Sequence, residues 1–120
     1  MRQLLLLRHA KSAPEGDRGA PEGADHTRAL NASGVAAAAA MGHAMRALGL
    51  APDMILVSSA RRTLQTLDAL EPWDDTPLIE PMDALYLATA PQILAAIRGV
   101  NDTVRSLMVI GHNPGLHDLG

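Results

Sequence analysis

Three short apolar runs punctuate the chain, at residues 4–7 (LLLL), 54–57 (MILV) and 107–110 (LMVI). Each is closed by polar or turn residues and none alternates, the pattern of strands buried on both faces of a sheet that helices cover. Helical patterns fill the intervals. Residues 31–49 (NASGVAAAAAMGHAMRALG) offer Asn31 or Ser33 as an N-cap and Gly49 as the residue just past the C-terminus. Residues 60–70 space Leu64, Leu67 and Leu70 three apart. Residues 89–99 begin with Thr89 as a cap, carry Pro91 in the first turn and stop at Gly99. Pro114 stands at what would be the first turn of a last helix.

Two segments read as loops, 13–27 (APEGDRGAPEGADHT) and 71–83 (EPWDDTPLIEPMD). The first is long enough to carry function of its own. No linker divides the chain, and strand–helix alternation predicts one α/β domain over residues 1–120. The expected architecture has three layers: a mainly parallel sheet, helices on both faces, and an active site at the C-terminal ends of the strands. The last strand ends ten residues before Gly120. The final helix is therefore very short or the native chain continues.

Composition narrows the function. Of 120 residues 48% are hydrophobic and 19% charged, which suits a globular domain able to bury a core. With no Phe, one Trp and one Tyr, base-stacking platforms are lacking, and a net charge of −3 gives no footprint for a polyanion. No nucleic-acid partner is expected, and phosphate recognition must be local to a few arginines. The absence of cysteine excludes disulfides and thiolate chemistry. Residues 4–7 are too short for a signal-peptide core, and no segment reaches the ~20 apolar residues of a membrane span. A cytoplasmic monomer without a membrane partner is expected.

The polar residues collect where the apolar runs end. Arg8 and His9 follow the first, Ser58, Ser59, Arg61 and Arg62 the second, and Gly111, His112 and Asn113 the third. Ligands of open α/β sheets bind outside the carboxyl ends of the strands, so three strands deliver these groups to one rim. Two arginines opening a helix oppose its dipole unless an anion sits there. Any one of these features alone would be ordinary. Together, two imidazoles and several guanidinium groups point to phosphoryl transfer, because arginine forks match phosphate oxygens and offset their charge. A histidine nucleophile must be neutral, and neighbouring arginines favour that form. It can then carry the phosphoryl group as a covalent intermediate that water releases. Since the cations are built in, no cofactor or metal is required.

The stretch LLLLRHAKS resembles the Arg-His-Gly/Ala signature of the histidine phosphatase superfamily, the phosphoglycerate-mutase-like proteins. VSSARRTLQT is similar to its second motif, with the family arginine on Arg62 rather than Arg61, and VIGHNPGL to its third, with the second histidine on His112. The spacing resembles the SixA-type phosphohistidine phosphatase branch most closely. There DHTRALNASG matches a loop motif and nominates Arg28 as an extra phosphate ligand. The resemblance implies that His9 accepts the phosphoryl group while Arg8, Arg62 and His112 bind and stabilise it, with Arg28 assisting. It further implies a helix and an edge strand beyond Gly120, without which apolar surface near His112 would be exposed.

Asp83, with Glu80 behind it, is the candidate proton donor, although the usual glycine and aromatic context is missing. A weak donor suits a P–N substrate, because protonated imidazole leaves more easily than an alkoxide. The expected substrate is therefore a phosphorylated protein histidine or a small phosphoester or phosphoramidate. The alternatives are a broad-specificity phosphomonoesterase or mutase of the same superfamily, or a non-catalytic phosphate-recognition module. A metal site on His9, His112 and His117 is disfavoured by the adjacent positive charge. His43 reads as a helix-surface or core-packing residue, Trp73 and Tyr86 as covers for the core edge, and His26 as a loop residue near Arg28 that could touch substrate.

Overall fold

The computed structural model describes residues 3–8, 29–73, 75–113 and 115–119. Strand β1 (Gln3–Arg8) is followed by α1 (Ala32–Ala47), β2 (Met54–Ser58), α2 (Arg61–Ala69) and β3 (Leu78–Met82). A 3-10 turn at Asp83–Leu85 leads to α3 (Ala90–Arg98), β4 (Ser106–Gly111) and α4 (Gly115–Leu119). All the strand pairs are parallel, in the order β1-β4-β2-β3. The three apolar runs are strands; β2 and β4 are buried on both faces as expected, whereas β1, at the edge of the described sheet beside β4, leaves Leu4 exposed and Leu5–Leu7 half-buried. The expected loop 13–27, with His9, His26 and Arg28, lies outside the described residues.

Alternate residues of β2 and β4 face opposite layers, the two-residue period of a strand. Leu56, Leu107 and Val109 pack with Ile93 and Ile97 of α3 and Leu116 of α4. On the other face Ile55, Val57, Met108 and Ile110 meet Met45 of α1 and Leu67 and Leu70 from α2 and its C-cap. The alanine-rich α1 buries small residues, Gly34, Ala38 and Gly42, alongside Met45. Gly42 is required there, since a Cβ would overlap the Leu70 carbonyl.

Local chemistry sets the element ends. Asn31 caps α1, its Oδ1 accepting from Gly34 N at 2.8 Å, and Gly49 follows the helix with φ +71°. Thr89 and Gln92 form a reciprocal capping box at α3, with Pro91 in its first turn. Asp53 Oδ2 accepts from Arg105 N and Ser106 N, both at 3.0 Å, so the starts of β2 and β4 are pinned together. Parallel strands that start level also end level, and their carboxyl ends share one rim.

One expectation needs correcting. Residues 71–83 are not all loop, because Leu78–Met82 adds to the sheet beside β2. This strand is at an edge, mostly exposed, and contains Pro81, which only an edge strand accommodates without losing a ladder bond. Its apolar content is too broken to register as a buried run.

Candidate active site

The site is assembled from the ends of β2, β4 and β3. Ser58 closes β2 and is fully buried. Its carbonyl accepts from Thr63 Oγ1 at 2.7 Å, while its hydroxyl accepts from Ala60 N at 3.3 Å. These bonds turn the chain directly into α2, whose N-cap, Ala60, supplies no side-chain oxygen. Of the two arginines in the first turn, Arg61 is exposed and Arg62 is only 2% exposed. Thr66 Oγ1 bonds the Arg62 carbonyl at 2.7 Å and completes the anchoring of that turn.

Arg62 reaches inward rather than to solvent. Its Nη2 lies 3.2 Å from Nδ1 of His112, the residue after β4, which is also 2% exposed. His112 Nε2 lies 2.8 Å from Ser58 Oγ. The three buried groups therefore form a chain, Arg62–His112–Ser58, that joins α2, β4 and β2. Tyr86 stands beside it, its ring edge-on to the imidazole with centroids 5.5 Å apart and planes at 88°. The Arg62 guanidinium carbon sits 5.8 Å from the same ring centroid, within cation–π range.

Arg8, exposed, is the last residue of β1 and pairs in register with Gly111, next to His112. Asp83, also exposed, follows Met82, the β3 residue in register with Ser58. The structure thus brings Arg8, Arg62, His112 and Asp83 to one rim. His43 and His117 are exposed on α1 and α4, away from this cluster of contacts. Trp73 packs against the core on the α1–α2 side.

Tyr86 is the departure from expectation: not merely a cover for the core edge, it borders the site. The sequence held a signal in retrospect, since the sole tyrosine follows Asp83 by three residues in a chain almost free of aromatics. Ser58 was visible as a polar strand end, but nothing in the sequence said that its hydroxyl would meet His112. Among the described residues, no group of three or more His, Cys, Asp or Glu side chains could hold a metal ion. No helix among them is long and apolar enough to cross a membrane.

Residues 4–83, which include Arg8 at the end of β1 and the buried Arg62 in the first turn of α2, match the first branch of the histidine phosphatase superfamily. The chain belongs to that superfamily. A SixA-type protein from Agrobacterium tumefaciens, provisionally described as a phosphohistidine phosphatase, is 32% identical. It superposes with a TM-score of 0.87 over 98% of this chain and 74% of its own. A similarly described SixA-type protein from Nakamurella multipartitia gives 33% identity and a TM-score of 0.83, covering 98% of this chain and 63% of its own. An uncharacterised Mycobacterium tuberculosis protein is 38% identical over 109 residues, 90% of this chain. The present chain spans only 63% of that relative's length. The superfamily member is thus of SixA type, with the fold that its sequence predicted.

Proposed function

We propose that this histidine phosphatase superfamily protein is a metal-independent phosphatase that transfers a phosphoryl group to His9 and then to water. The observation that carries the reading is the buried Arg62 guanidinium held 3.2 Å from the His112 ring at the sheet rim. A cation buried at the mouth of a helix, beside a second imidazole, is a binding site for an anion with several oxygens. In this reading Arg8, Arg28 and Arg62 bind the phosphoryl oxygens and stabilise the charge spread over them in the transition state, while His112 holds the Arg62 guanidinium at the site. The lone pair of one His9 ring nitrogen forms a P–N bond as the bond to the leaving group breaks. The leaving group departs with a proton. Water then attacks phosphorus, the His9–P bond breaks, and inorganic phosphate is released with His9 restored.

The substrate class we favour is phosphohistidine on a protein, followed by small phosphoramidates and phosphoesters. An imidazole protonated at its bridging nitrogen is a better leaving group than an alkoxide, so it makes the smaller demand on a general acid. Asp83 is the candidate acid: it sits one residue past the strand position opposite Ser58, exposed at the rim. That placement also favours a second reading, a phosphomonoesterase with Asp83 protonating an alkoxide. Under the second reading, Asp83→Asn slows alkyl phosphate hydrolysis far more than phosphoramidate hydrolysis; under the first, both change little.

The primary experiment is alkali-quenched labelling with a ³²P-phosphoramidate, without added metal, in wild type and His9→Ala. An alkali-stable, acid-labile label that vanishes in the variant is the expected result. Phosphate binding that depends on Arg62, with neither label nor turnover, would replace the enzyme with a phosphate-recognition module.

A further inference from the structure

A guanidinium group donates hydrogen bonds and accepts none. In the 3.2 Å contact between Arg62 Nη2 and His112 Nδ1, the imidazole nitrogen must therefore supply the lone pair. A neutral imidazole whose Nδ1 accepts carries its proton on Nε2. That nitrogen is the one 2.8 Å from Ser58 Oγ. The hydroxyl oxygen has two lone pairs, enough for the Nε2 proton and for the Ala60 N–H at 3.3 Å. Both ring nitrogens are thus accounted for by fixed partners on different elements.

We infer that Ser58 is a positioning residue. Together with Arg62 it holds His112 as the Nε2–H tautomer and fixes the direction in which the ring points. Ser58 suits this role because its own oxygen cannot wander: the residue is fully buried at the last position of β2, and the following turn is built on it. A competing account treats the hydroxyl as a device for turning strand into helix, with the Ala60 bond as its whole purpose. The two accounts differ at the imidazole. Loss of a turn bond would alter stability and leave the Nε2 proton as it was, whereas loss of a positioning bond alters that proton directly.

The kinetic side of the inference rests on the proposed phosphatase activity; the tautomer does not. The experiment is two-bond ¹H–¹⁵N correlation of the histidine rings in uniformly ¹⁵N-labelled full chain at neutral pH. His112 signals are assigned by their disappearance in His112→Gln. Wild type is expected to show an unprotonated Nδ1 and a protonated, slowly exchanging Nε2. In Ser58→Ala the Nε2 proton should move upfield and exchange faster, and Ser58→Thr, which keeps the hydroxyl, should restore it. Phosphoramidate hydrolysis should fall about tenfold in kcat for Ser58→Ala, the size of one hydrogen bond, and recover in the threonine variant.

A wild-type spectrum with the proton on Nδ1 overturns the inference without recourse to any variant. So does a Ser58→Ala spectrum in which the Nε2 proton is unchanged. The expected tautomer in a protein that forms no phosphoenzyme would leave this inference standing and remove the phosphatase reading instead.

Discussion

Gly115→Ala tests how tightly the second histidine is built into the fold. Gly115 opens α4 and is buried; a Cβ there would overlap the Ala88 carbonyl oxygen and lie 3.0 Å from Ala88 C and from Ile93 Cδ1. Two effects oppose each other. Replacing glycine by alanine inside a helix gains roughly 0.5–1 kcal/mol from the unfolded chain's lost freedom. Forcing a methyl into a full site costs about 1–3 kcal/mol, towards the upper end here because a backbone carbonyl has no rotamer to retreat into. The steric term wins, and a net loss of about 1–2 kcal/mol follows. For a domain of this size that lowers Tm by roughly 4–8 °C.

The same displacement should reach the site. Leu116 N donates to the His112 carbonyl at 3.1 Å, so α4 cannot shift without pulling the histidine. Two other glycines separate stability from site geometry. Gly42→Ala meets the Leu70 backbone, with Leu70 C and Cα 2.9 Å from the added carbon, on the opposite face of the sheet. It should cost similar stability and leave phosphate affinity alone. Gly99→Ala meets only carbonyl oxygens at 3.5 and 3.8 Å, ordinary contact, and should be neutral. Urea unfolding followed by circular dichroism, with isothermal titration of inorganic phosphate on the folded proteins, reads both quantities. A Gly115→Ala protein as stable as wild type would refute the steric argument. Equal loss of phosphate affinity in Gly42→Ala would refute the link through Leu116.

Arg62→Lys should weaken phosphate binding on the order of a hundredfold, since a single ammonium replaces a planar fork that bonds the imidazole and the anion together; phosphate titration checks it, and near-normal affinity would count against the site. Tyr86→Leu removes an edge-to-face contact and a cation–π contact worth together about 1–2 kcal/mol, so phosphate affinity should fall roughly 5–30-fold, while Tyr86→Phe, which keeps the ring contacts, should retain most of it. Gln65 Oε1 accepts from Leu30 N at 2.8 Å and ties the approach to α1 onto α2. Gln65→Ala should lower the unfolding free energy by about 1 kcal/mol in urea, and no change would show that the tie is made good by water.

Why the rim was legible in the sequence and its fourth side was not follows from burial. Central strands β2 and β4 are covered on both faces, so each must be an unbroken apolar run, and its end is marked by the first polar residue that can tolerate the rim. Ser58 and His112 are those residues, and Arg8 plays the same part after the leucines of β1. An edge strand is free of that constraint, although β1, at the other edge of the described sheet, still keeps its leucine run. β3 has one neighbour, faces solvent over most of its length and admits Glu80 and Pro81 among its apolar residues, so its sequence resembles that of a loop.

That concealed strand nonetheless decides what the site contains. Parallel pairing of Met82 with Ser58 ends β3 level with β2, and the bond from Ser59 N to Met82 O at 3.3 Å holds the two exits together. The chain then makes a single 3-10 turn, which places Asp83 on the rim and, three residues later, Tyr86 against His112. Leu87, with φ +49°, an uncommon conformation for a leucine, next reverses the backbone so that Ala88 packs against Gly115. One short segment therefore meets the histidine ring through Tyr86 and the helix that follows it through Ala88 at Gly115. None of this is periodic in hydrophobicity. It depends on a register and on a glycine's missing Cβ, which only the packed structure displays, and this is why Tyr86 read as a cover for the core edge while Arg62 and His112 read as site residues.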